Sequence, residues 1–65
     1  MKPTKEDSGK FWWVKTDDCD EPDIVRIEWD KYRNCLVAWW TGWEIPSEVE
    51  KMKNEEWLGE VEPLH

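Results

Sequence analysis

Seven tryptophans, sixteen carboxylates, two cysteines and one histidine are the residues of this 65-residue chain with chemistry to offer. Carboxylates serve acid–base catalysis or cation ligation, thiols serve nucleophilic or metal chemistry, and indoles bind cations and anchor interfaces. Catalysis is the least supported of these. The only histidine, His65, stands alone at the last position, with no nucleophile–base pair beside it. So short a domain also has little room for a substrate pocket of about 300 Å³ or more. The run Asp17-Asp18-Cys19-Asp20-Glu21-Pro22-Asp23 suggests calcium, having five carboxylates and no base. A helix–loop–helix calcium site, however, needs glycine at its sixth position and glutamate at its twelfth, and counting from Asp18 these are Asp23 and Trp29. The run therefore reads as a solvated acidic loop. Gly9, Gly42 and Gly59 are isolated, so no phosphate-cradling loop exists. No metal and no cofactor are expected, and the chain is expected not to be an enzyme.

The elements that position these groups follow from periodicity. Residues 1–10 are polar and aperiodic and are expected to be a flexible lead-in to a single domain over residues 11–63. Phe11 to Thr16 is aromatic and β-branched, which predicts a strand. Asp23 to Asp30 alternates, with Val25, Ile27 and Trp29 on one side and Arg26 and Glu28 on the other, as in a strand with one buried face. Asp30 to Asn34 has hairpin length, and Cys35 to Trp40 supplies a third strand. Ser47-Glu48-Val49-Glu50 reads as a capping box, predicting a short helix that ends near Asn54 and places Val49 and Met52 on one face. Trp57-Leu58, with Val61 beyond Gly59, predicts a last short strand or extended tail at the sheet edge. The fold class expected is α+β and β-rich: a small antiparallel meander of three to four strands with one short helix.

Because strand neighbours point to opposite faces, Trp12-Trp13 and Trp39-Trp40 must each put one indole on either side of the sheet. One two-turn helix cannot cover both. The uncovered indoles either lie against Arg26 and lysine stems or meet a partner, since large exposed aromatic area marks contact surfaces. Charge points to the same surface chemistry. The net charge is −7 and the pI is near 4.5, which disfavours direct nucleic-acid binding and suits a basic partner. Residues 44–62 carry seven Glu against two Lys. The expected partner-binding residues are Trp39, Trp40, Trp43, Glu55, Glu56 and Glu60. Their expected partner is a protein with a basic surface or a second copy of the chain. No apolar run nears the roughly 18 residues of a membrane span, so no membrane partner is expected and a cytoplasmic setting is. Cys19 and Cys35 fit no metal spacing and are expected to be free thiols, Cys35 the more buried.

The segments Phe11-Trp12-Trp13-Val14-Lys15, Glu21-Pro22-Asp23-Ile24-Val25, Gly42-Trp43-Glu44-Ile45-Pro46 and Trp57-Leu58-Gly59-Glu60-Val61-Glu62-Pro63 resemble a loose family of short phage- and prophage-encoded proteins without an assigned activity. The resemblance covers most of residues 11–63 and implies no catalytic residues. It implies a setting in the bacterial cytoplasm and a role in binding and disabling a host protein. Two other readings stand beside it: an acidic nucleic-acid mimic that inhibits a host DNA-binding or defence protein, and an aromatic cage for methylated cations built from Trp39, Trp40, Trp43 and Tyr32.

Overall fold

The alternating and β-branched segments pair into one antiparallel sheet. The computed structural model describes residues 2–62; His65 and the expected domain end at Pro63 lie outside them. The strands are β1 (Phe11–Lys15), β2 (Asp23–Asp30), β3 (Cys35–Trp40), β4 (Ser47–Glu48) and β5 (Glu56–Glu60), in the order β4-β3-β2-β1-β5. The β-rich antiparallel class holds. Two details are corrected: the sheet has five strands, and among the described residues there is no α-helix, only two single 3-10 turns at Lys5–Asp7 and Val49–Lys51. Among the described residues no helix is long and apolar enough to cross a membrane.

The expected helix at Ser47 fails for a reason visible in its first two residues. Their backbone pairs with β3, Glu48 opposite Val37 and Ser47 opposite Ala38. The Ser47 hydroxyl accepts a hydrogen bond from Trp40 Nε1 at 3.1 Å, and the side chain that would cap a helix is thereby occupied. The chain then makes one 3-10 turn. That suffices to drop Val49 into the core and to set Met52 against it, the two side chains the helix was expected to bury.

Register assigns every strand residue a face. On one face Trp12 and Val14 of β1, Val25 and Ile27 of β2, and Leu36 and Ala38 of β3 form the buried core with Val49. Trp29, Trp40, Met52 and Trp57 pack around it. Trp12 meets Trp57 edge to face, with centroids 6.0 Å apart, although the Trp12 indole N–H is buried without an acceptor. Lys5 lies over the Trp29 ring at 4.5 Å. Residues 8–10 also bond to β2. Gly9 N donates to Ile27 O, Ile27 N to Lys10 O, and Trp29 N to Ser8 Oγ. At the other edge, β5 bulges between the partners of Trp13 and Val14, where Gly59 takes φ +139°, a conformation L side chains rarely adopt.

Candidate functional site

Antiparallel pairing gathers three connections at one end of the sheet, the β1–β2 loop, the β3–β4 turn and the lead into β5, together with the start of β4. There Trp43 N donates to Trp40 O, closing a turn whose third residue, Gly42, has φ +82°. This turn folds Trp43 back onto Trp40, with centroids 5.9 Å apart and planes 34° apart. The pair forms one wall of a cleft of about 360 Å³, completed by Thr16, Asp18, Cys19, Asp23, Ser47 and Glu55. The expectation that the chain has little room for a pocket is thus corrected. Trp43 remains 62% exposed, offering an indole face to whatever enters.

The charges of this end differ from those elsewhere. Lys10 pairs with Glu60 at 3.1 Å, Arg26 with Glu28 at 3.2 Å, Arg33 with Asp30 at 3.6 Å and Lys51 with Glu48 at 2.9 Å. Those partners have consequences for proton affinity. The hydrogen bond with Glu60 raises Lys10, and the bond from Lys51, followed by that from Cys35, lowers Glu48. No ion pair among the described residues reaches Asp18, Asp23 or Glu55. One carboxylate oxygen of Glu55, Oε2, is moreover fully buried and accepts no hydrogen bond.

Compared with family models, curated proteins and solved structures, the chain has no match in any of the three.

A second surface lies on the sheet face away from the core. Phe11 and Trp13 of β1 stand beside Arg26 and Ile24 of β2, and Trp39 of β3 stands on the far side of Arg26. Phe11 is 49%, Trp13 38% and Ile24 36% exposed, while Trp39 is half-buried. Val37 and Cys35 share this face but are buried near β4, so the open part is its β1–β2 half.

The expected binding residues therefore separate. Trp40, Trp43 and Glu55 meet in the cleft, whereas Trp39 is on the opposite face of the sheet. Glu56 sits on edge strand β5 opposite Lys15, and Glu60 is held by Lys10. The four aromatics named for a methyl-cation cage are not brought together, because Tyr32, fully exposed, occupies the β2–β3 turn at the other end. Both cysteines are free, Cys19 exposed at the cleft and Cys35 buried at the far end of β3. Asp18 and Asp23 read from the sequence as members of a plain acidic loop. The signal that would have included them is topological: in an antiparallel meander the end of β1, the start of β2 and the end of β3 share one end of the sheet.

Proposed function

We propose that this chain is a non-enzymatic protein-binding module whose main contact surface is the open β1–β2 half of the sheet. One observation carries the reading: Phe11, Trp13 and Ile24 are adjacent in register and exposed on a face that no other element of the described residues covers. Contiguous apolar area of this kind, with aromatic anchors, is what partners bury. The edges argue for a face rather than a strand-addition mode. β4 has two residues, and β5 carries a bulge and two glutamates, features that blunt edge pairing.

The partner chemistry follows from charge. A net charge of −7 opposes close approach of a second copy and favours a basic protein surface. A bacterial host protein met by a phage or prophage product fits this description. The test combines capture with oligomeric state. Phe11→Thr with Trp13→Thr keeps strand-forming side chains and should melt like the parent, yet abolish capture of basic proteins from bacterial lysate. A double variant that captures the same proteins as the parent would reject the face. A parent that is dimeric by light scattering at about 100 µM, and monomeric in the double variant, would replace the foreign partner with a second copy.

A further inference from the structure

The chain ahead of β1 falls into two parts that are held in different ways. Residues 8–10 belong with the sheet. Ser8, at φ −55° and ψ 128°, and Gly9, at φ +90°, form the middle of a turn that Lys10 N closes on Asp7 O, and these three residues carry the bonds to Ile27 and Trp29. Residues 3–7 are closed on themselves instead. Thr4 N donates to Asp7 Oδ2 at 2.8 Å, Asp7 N to Thr4 O at 2.9 Å and Ser8 N to Lys5 O at 3.2 Å. Among the described residues no hydrogen bond or ion pair joins 3–7 to a strand. What seats this strap is the burial of Pro3 and the ammonium of Lys5, 4.5 Å from the centre of the Trp29 ring.

These two contacts are ones a ligand would make. Among the described residues Lys5 pairs with none of the sixteen carboxylates of the chain, and its charge is set over an indole. A covered proline with a cation over an aromatic ring is the chemistry by which aromatic surfaces take up proline-containing basic segments. A strap joined to the fold by so little, beside a turn about which it can swing, is open to replacement. We propose that Pro3–Asp7 is the internal occupant of a peptide site at Trp29, and that this site takes a segment of another protein in which a proline is followed two residues later by lysine or arginine. The incoming segment displaces the strap, so affinity is held down until the strap is loosened. The net charge of −7 draws a basic segment, and the proline and cation contacts choose its position. Trp29 packs on the core side of the sheet, away from Phe11, Trp13 and Ile24, and the site does not depend on that open face.

The experiment titrates the whole chain with a blocked peptide of residues 2–8, followed by amide and indole chemical shifts. It compares the parent with the double variant Pro3→Ser, Lys5→Ser, which loosens the strap and leaves Ile27 and Trp29 intact. The double variant should saturate with a Kd on the order of 1 mM, in keeping with one ring and one cation, and should move the Trp29 indole and the amides of Ile27 and Trp29. The parent should bind roughly tenfold more weakly, since its own strap competes. Norleucine at position 5 of the peptide should weaken binding to the double variant about fivefold, a loss of cation–π attraction that leaves the protein untouched. Trp43, at the opposite end, should keep its shift. Lys5→Ser alone, at an exposed position, gives the same comparison should circular dichroism show the double variant unfolded. Absence of saturation up to about 20 mM, equal binding by the parent and the loosened chain, or equal binding of the norleucine peptide would each overturn the proposal. So would a parent that is dimeric at about 100 µM and monomeric in the double variant, because the occupant would then be the strap of a second copy.

Discussion

Both faces of the sheet carry tryptophan, and they use it differently. On the core face Trp12, Trp29, Trp40 and Trp57 ring a centre of aliphatic side chains, and Val14, Val25 and Ile27 at that centre are fully buried. On the other face Phe11, Trp13 and Ile24 stand beside Arg26 with at least a third of each surface in water. What separates the faces is cover. The core face is closed by the 3-10 turn that brings in Val49 and the following Met52, by Lys5 over Trp29 and by the indoles themselves, so a chain of 65 residues spends its largest side chains as walls. Among the described residues no comparable element covers the second face, and its aromatics stay partly in water.

The largest effect expected from this contrast is on stability. Ile27 has no exposed surface and lies in the middle of the core. Ile27→Ala should cost roughly 2–5 kcal/mol, by loss of buried methylenes and the cavity left behind. A domain of this size has a folding free energy of roughly 3–10 kcal/mol, so the variant should be largely unfolded at 37 °C. Urea denaturation followed by circular dichroism measures this. A midpoint within error of the parent would mean that the core lies elsewhere and that the two faces are not distinguished by cover.

The strands around Ile27 were legible because alternation and hairpin spacing are local signals. Asp23–Asp30 and Cys35–Trp40 have the bounds read from the sequence, and β1 starts at Phe11 as expected. The opposite placement of Trp12 and Trp13, and of Trp39 and Trp40, followed from pleat alone. Ser47–Lys51 was not legible. A serine with a glutamate three residues on is a good helix start in isolation, but here pairing with Val37 and Ala38 claims the backbone and Trp40 claims the hydroxyl. Tertiary contacts outweigh a local preference worth about 1 kcal/mol. The cleft was half legible. Trp40, Trp43 and Glu55 were named, but their neighbours Asp18, in the β1–β2 loop, and Asp23, at the start of β2, are distant in sequence, and only the strand order brings them together.

A smaller effect tests how the core face is joined to the cleft. Trp40 is packed against the core and stacked on Trp43, and its orientation is set by the bond from Nε1 to Ser47 Oγ. Ser47→Ala keeps the strand and removes the acceptor, and should lower stability by about 1 kcal/mol, the net worth of one such hydrogen bond. The loss should be accompanied by a change in tryptophan fluorescence, because the Trp40–Trp43 pair loses its anchor. Ser47→Thr, which restores an acceptor, should recover most of both. If Ser47→Ala changes neither signal, packing alone orients Trp40.

The smallest effect concerns the covered corner of the second face, where Glu48 and Cys35 flank Val37. Glu48 accepts from Lys51 Nζ at 2.9 Å and from Cys35 Sγ at 3.5 Å, and both bonds hold its carboxyl below the usual carboxylate range. Cys35 moves the other way. Burial, then the bond to Glu48, pushes its thiol above the usual range, so it stays protonated and remains a donor at neutral pH. The signs give opposite limbs. A carboxyl with a depressed folded pKa contributes stability above the unfolded value of about 4.3, and this is lost as pH falls through the lower folded value. A thiol with a raised folded pKa contributes stability below its unfolded value of about 8.5, and this is lost as pH rises through the folded value. Urea midpoints measured from pH 2.5 to pH 10 should therefore separate two variants. Lys51→Met should fall below the parent at neutral pH and converge with it in acid, where Glu48 is protonated in both. Cys35→Ala should differ from the parent by a constant amount from neutral pH down to about pH 5, where the thiol stays protonated and Glu48 ionised, and the difference should narrow at the alkaline end. Curves for Lys51→Met and the parent that run parallel through the acid limb would show that the bridge to Glu48 does not persist in solution, and would leave the Cys35 bond, the pairing with β3 and the burial of Val37 to hold β4 at this face.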